Sequence, residues 1–340
     1  MFLFLFAHIA QKPLFFTSFE LKEKAFFNFM LSRRNIRIKV MQLLYWMSRD
    51  QKVSRKELLD FYSDSVLQSY ELFLYCLLVY MEVVKYSRAD AKKRSSKHLP
   101  TEEDKKFTPK LCENDLFRSL STNKELIGRF NDLNLKEKLN KDTIRKAYLK
   151  FSKSEAYRSY FLEEESSPSQ HKQILLELLK SLSKNELFLE DLEDRYNSWV
   201  DDQSLVVGTL KRTVKGLPQA GSFFLEFIPS KETTRDFGET LLLNVIEKDK
   251  ELLDLIEPVL RNWDADRVAA IDMILLKMAL CEFLDFPTIP TKVTLNEYVE
   301  LAKLYSTDKS KDFINGILDR LLKMLKKENR IQKKGRGLIE

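Results

Sequence analysis

An all-α fold is predicted by three features of this 340-residue chain. Glycine and proline are scarce, at 8 and 9 residues, too few turn formers for a many-stranded protein. Hydrophobic residues make up 44% of the chain, enough to bury a sizeable core. Apolar residues recur at three- and four-residue intervals over most of the length, the spacing of one helix face.

The elements follow in order. Met1 to Ala10 is a short Phe-rich run with no basic lead, well below the ~20 residues of a membrane span. It reads as a signal peptide or as the product of a misassigned start, with Met30-Leu31-Ser32-Arg33-Arg34 as a natural beginning. Residues 1–29 are therefore expected to lie outside the functional fold. Ser32 is a candidate N-cap, and Ile36, Val40, Leu43, Leu44 and Met47 behind it form one apolar helix face. A second helix is expected from about Ser54, and a strongly apolar third from about Ser65 to Ser87.

Residues 88–108 turn polar and read as a helix end and a basic loop. Helical patterns follow at about 113–131, 140–164 and 170–196, the last two separated by Glu163-Glu164-Glu165-Ser166-Ser167-Pro168. Leu205 through Pro229 reads as a loop region with a short strand-like piece. Helical periodicity returns at Thr234, and a helix from about Lys248 to Trp263 is interrupted by Pro258. Val268–Leu284 is apolar nearly all round except at Asp272, Lys277 and Glu282, which places it in the middle of a bundle. Two amphipathic helices, about 292–305 and 313–325, complete the set.

The net charge of +6 is unevenly spread. Residues 31–55, 85–110 and 320–340 are basic, and 186–202 is acidic. Basic blocks of this kind suit a polyanion partner, RNA or DNA; each taken alone is also an ordinary solvated helix face or tail. Cys76, Cys112 and Cys281 are far apart and read as reduced core thiols. His8, His98 and His171 pair with no cysteine or carboxylate at metal-ligand spacing. No cofactor is expected.

The most specific stretches are Pro290-Thr291-Lys292-Val293-Thr294-Leu295-Asn296-Glu297 and Phe313-Ile314-Asn315-Gly316-Ile317-Leu318-Asp319. Before them come Trp263-Asp264-Ala265-Asp266-Arg267 and the helix end Leu280-Cys281-Glu282-Phe283. In order and spacing these four resemble the NusB family of transcription antitermination factors, and Ser32–Met47 resembles its first helix. The resemblance implies an all-helical bundle of two subdomains, enlarged here by extra helices in mid-chain. The expected organisation is 1–29 as a non-family extension and 30–87 as an N-terminal helical part. Residues 88–230 form the enlargement, 231–326 the family-like core, and 327–340 a basic flexible tail.

What the resemblance implies is binding, not catalysis, in the cytoplasm and without a membrane. Partners would be boxA RNA of nascent ribosomal RNA transcripts, ribosomal protein NusE, other Nus factors and RNA polymerase. Arg33, Arg34 and Arg37 fall at the family's basic positions, with Lys39 nearby. Asn35 stands where a third successive arginine is frequent. Guanidinium suits phosphate because it offers paired planar donors and stays charged. Lys309 and Lys311 lie in a loop that the family places near RNA, and Lys309 stands where an acidic residue is common. Phe313 has two readings, a base-stacking ring or the first residue of a core stripe. For NusE, the resemblance points to Tyr45, to the helix beginning near Asp266, and to Asp272. A lone carboxylate in an apolar helix needs a partner, whether NusE or an internal cation. Two other classes compete. A ribosomal RNA methyltransferase would need a glycine-rich cofactor loop, and none is present. A helical scaffold would use its charges only for solubility.

Overall fold

The computed structural model describes residues 30–50, 52–260 and 268–338. The expectations for residues 1–29, for the Trp263–Arg267 motif and for the helix start near Asp266 lie outside the described residues. Among the described residues the chain is helical throughout, with no strand. It divides into two compact units, Met30 with Gln68–Ile228, and Leu31–Leu67 with Pro229–Glu340.

Two helices open the chain, α1 (Arg33–Arg49) and α2 (Arg55–Ser95). The second and third helices expected from the sequence are a single one. Nothing at Ser63 to Ser69 breaks it, because serine inside a helix is only mildly unfavourable. The first part of α2 belongs to the second unit and the remainder to the first. It is long and apolar enough to cross a membrane, yet its apolar stretch is mostly buried inside the protein. Leu72, Phe73, Leu74, Tyr75 and Tyr80 have no exposed surface.

The Gln68–Ile228 unit continues with α3 (Glu102–Lys106), α4 (Lys110–Glu113), α5 (Asp115–Ser121), α6 (Lys124–Asp132), α7 (Lys141–Phe151), α8 (Glu155–Leu162), α9 (Pro168–Leu182), α10 (Glu186–Arg195) and α11 (Trp199–Lys215). Three long expected helices are thus broken into pairs. The cause is local: α5 to α10 all start on an asparagine or serine whose side chain accepts a backbone N–H of the first turn. Such caps start new helices wherever they fall. Before α9, Ser167 and Gln170 form a reciprocal capping box with Pro168 at the first helical position.

Residues 205–215, read as loop or strand, are instead the end of α11. Apolar residues there pack as core: Val206, Leu210 and Val214 are buried. Tertiary burial overrides the weak local preference. The basic stretch after Arg88 is mostly helix rather than loop. Arg94 pairs with Asp90 at 2.9 Å and sits over Phe107 at 4.3 Å, and Lys97 pairs with Asp104 at 2.8 Å. The buried Tyr148 hydroxyl donates to Asp90 at 3.0 Å and lies 3.2 Å from that of Tyr157.

The second unit adds a π-helical segment, Glu232–Glu239, then α12 (Thr240–Glu247), α13 (Asp249–Leu260), α14 (Ala270–Asp285), α15 (Thr291–Tyr305) and α16 (Ser310–Lys327). As expected of a helix apolar all round, α14 is central, packing against α1, α12, α13, α15 and α16. The π-helical segment leads directly into α12 and lies on α1. A Cβ on its Gly238 would meet Tyr62 Oη at 1.9 Å and Ile36 Cγ2 at 2.4 Å. Tyr62 is held there by donating to Thr234 O at 2.6 Å.

The tail beyond α16 is docked rather than free as far as Leu338. Asn329, at a left-handed φ of 54°, turns the chain out of α16. Lys333 Nζ then donates to Glu282 O at 3.1 Å and Phe286 O at 2.9 Å, and Lys334 N to Pro287 O at 2.9 Å. Carbonyls left over at the end of α14 attract this cation. Burial lowers the Lys333 pKa to about 8, against a smaller raising effect of Glu282. Gly337 is buried with no room for a Cβ, which would lie 1.9 Å from Pro287 O.

Gly238→Ala is expected to cost about 1–3 kcal/mol, the range for overpacking a filled site, seen as a lower denaturation midpoint for the Leu31–Leu67/Pro229–Glu340 unit. An unchanged midpoint would show that the α1 to π-segment approach is loose.

Candidate nucleic-acid interface

The site is built on the first turns of α1. Ser32 accepts from Asn35 N, and the Asn35 side chain accepts from Ser32 N at 3.2 Å, a closed capping box. Asn35, which interrupts the arginine run, therefore starts the helix that presents its neighbours.

The arginines take three different positions. Arg37 is buried, 2% exposed. Its Nε and Nη2 donate to the two oxygens of Glu282 at 2.6 and 2.8 Å. Tyr298 Oη and Thr294 Oγ1 donate to the same carboxylate at 2.6 and 3.2 Å. The guanidinium also lies over the rings of Phe237 and Tyr298, at 5.1 and 5.7 Å. Burial opposes its charge, yet Glu282 outweighs this and leaves its pKa raised. Burial pushes the Tyr298 hydroxyl well up, and Glu282 adds to the effect. Arg37 is thus the floor of the site and not its face, a correction to the surface role expected for it.

Arg34 is half-exposed and forms a two-pronged pair with Glu297, at 2.8 and 2.7 Å. Arg33 reaches Glu232 at 3.2 Å, a partner that is itself 75% exposed, and sits 5.6 Å over Phe237. Burial opposes ionisation of Glu297, but hydrogen bonding from Arg34 and the charges of Arg37 and Arg34 prevail and hold its pKa low. Lys39 is buried, so it does not belong to an open surface either.

Beside Arg33 lies a shallow basin of about 450 Å³, lined also by Lys292, Val293, Asn296 and Arg336. It opens at the start of α15, where Pro290 occupies the cap position and no side chain caps the helix.

The other basic group lies at the start of α16, against the N-terminal part of α14. Ser310, buried, donates to Asp272 Oδ2 at 2.7 Å, and Lys309 and Lys311 on either side are exposed. The internal partner of Asp272 is thus a hydroxyl, while its Oδ1 is buried without a hydrogen-bond partner among the described residues. Phe313 is half-buried at the start of the α16 core stripe. Tyr45 is half-exposed under Arg49, whose guanidinium lies 5.1 Å from the ring centre. The anchors of the two basic groups, Glu282 and Asp272, are ten positions apart on α14, about 15 Å at the helical rise.

Sequence reasoning missed Glu282 and Glu297 as organisers, and Lys292 and Arg336. Glu282 did carry a signal, as a carboxylate in an apolar helix. Arg336 carried none, since nothing in a basic tail shows that it docks.

The structure thus defines an all-helical protein with exposed cations arranged around a buried ion-paired floor. The NusB family model matches residues 156–323. The chain is 44% identical to the transcription antitermination protein NusB of Salinibacter ruber over 107 residues, 32% of this chain and 67% of that protein. It is 43% identical to that of Finegoldia magna over 94 residues, 28% and 67%. It is 39% identical to that of Chloroherpeton thalassium over 106 residues, 31% and 50%, so it spans only half of that relative. No solved structure matches the chain. The chain belongs to the NusB family. The matched range takes in both C-terminal motifs and also 156–230, part of the segment read as enlargement. It does not include Ser32–Met47, but α1 folds with the C-terminal helices in one unit.

Replacing Glu282 by Ala strands a buried guanidinium and is expected to cost about 3–5 kcal/mol, measured by urea unfolding. A second expectation concerns acid. Glu297 has a depressed folded pKa, so its contribution is present above the ordinary glutamate range and is lost as pH falls through the depressed value. Glu297→Gln should therefore flatten the acid limb of the stability profile. An identical limb would show that the Arg34–Glu297 pair contributes nothing.

Proposed function

We propose that this protein is a transcription antitermination factor, acting in the cytoplasm by binding and not by catalysis. It binds boxA RNA of nascent ribosomal RNA transcripts together with ribosomal protein NusE. With other Nus factors it helps RNA polymerase read through terminators. The carrying observation is the exposed cation set, Arg33, Arg34, Lys309 and Lys311, on a family member whose Arg37 is withheld in the floor. The reading is supported by the way these cations are partnered. The Arg33–Glu232 pair is exposed, and exposed ion pairs contribute about 0–1 kcal/mol, so an RNA phosphate can replace Glu232 at little cost. The Arg37–Glu282 pair stays intact beneath. Phe313, half-buried, follows Lys311 and Asp312 in the first turn of α16. Tyr45 and Asp272 are assigned to NusE, as the family resemblance implies.

The test is a titration of boxA RNA, with and without the protein's own NusE, at two salt concentrations. Cooperative tightening by NusE is expected. Lys309→Asp should weaken RNA binding and make its salt dependence shallower. If neither RNA nor NusE binds, the antitermination role is excluded and a scaffold role takes its place.

A further inference from the structure

The basin beside Arg33 is a site that the arginine-rich segment alone does not explain. Its cations come from three distant parts of the chain: Arg33 from α1, Lys292 from the first turn of α15, and Arg336 from the docked tail. Lys292 and Arg336 are both exposed and make no ion pair among the described residues. Arg33 has one exposed carboxylate, Glu232, against it, and the neighbouring Glu297 is already held by Arg34. The local balance is therefore positive. Pro290 and the 44% exposed Val293 give the basin an apolar wall.

The tail is fastened so as to hold Arg336 there. Lys333 and Lys334 tie it to the carbonyls of Glu282, Phe286 and Pro287, and Gly337 lies flat on Pro287. A side chain at 337 would lift the tail and carry Arg336 away. The anchor is shared with the floor, since Glu282 receives Arg37 on its carboxylate and Lys333 on its carbonyl.

We propose that this basin seats a phosphodiester of a single-stranded RNA, held by Arg33, Lys292 and Arg336, with the docked tail as a required part of the site. The seat rests on the RNA-binding reading above and adds to it a specific phosphate position and a function for the C-terminal residues. Convergent cations in a concave site are what a phosphate group requires. The apolar wall gives the adjoining sugar or base a surface to pack on. The tail, read from sequence as free, becomes part of the RNA track.

The experiment is a titration of the full chain with a short single-stranded boxA RNA over a range of salt, with circular dichroism as a check on folding. Arg336→Gln and Lys292→Gln should each weaken binding several-fold and lower the salt slope, by no more than about 0.7, the value for the one phosphate that the three cations share. Gly337→Val should reproduce the Arg336→Gln loss although the arginine is still present. Lys292→Gln leaves the tail untouched, so the test survives if Gly337→Val disturbs folding. If Arg34→Gln weakens binding while Arg336→Gln and Lys292→Gln leave affinity and slope unchanged, the seat is wrong and the RNA reading stands. If no RNA binds to the wild-type chain, both fall together.

Discussion

The pair formed by Arg37 and Glu282 is the constraint on which the C-terminal bundle depends. Glu282 sits on a helix that is apolar all round, and a carboxylate there is tolerable only if every lone pair is answered. Arg37, Tyr298 and Thr294 answer it, at 2.6 and 2.8, 2.6 and 3.2 Å. That single carboxylate therefore fixes the rotation and height of α1, α14 and α15 against one another. Its backbone carbonyl, bound by Lys333, extends the same register to the tail. Once Arg37 is fixed, Arg34 falls beside Glu297 and Arg33 beside Glu232 without further choice.

The division of labour among the three arginines follows from solvent access. A charge pair in water is weak and exchangeable; the same pair out of water is costly to break. Arg33 and Arg34 lie on the wet side of that boundary and Arg37 on the dry side. The π-helical segment helps to draw it, because Gly238 lets α1 approach closely and Phe237 lies beneath both Arg33 and Arg37. The buried arginine holds the helix, while the two on the wet side keep pairs that solvent or salt can exchange.

The Gln68–Ile228 unit is organised differently. Its core is aromatic, with tyrosine hydroxyls paid off internally, as Tyr148 is by Asp90 and Tyr75 by Asp191. Burial raises the Tyr75 and Tyr148 pKa values, so these hydroxyls are held as neutral donors. Its helices are short because capping residues recur, asparagines and serines that stand in the sequence at each start. Residue type alone does not make a cap, since Ser63 and Ser65 sit inside α2 without starting a helix. A cap acts only where the chain also has somewhere to turn, and packing decides that.

Local pattern determined much of this protein: an all-helical chain, the centrality of 268–284, the cap of α1, the break before Pro168, and the motifs that carry the family resemblance. Each depends on residues within a few positions of one another, which sequence displays directly. Tertiary structure alone decided which basic residues face solvent. Arg33 and Arg37 are the same residue type on the same helix, yet the partner that buries Arg37 lies 245 residues away. Arg336 reached its basin for the same reason, because its docking depends on carbonyls of α14 and the loop after it. The cost of burying a charge is set by what stands opposite it, and no local pattern records what that will be.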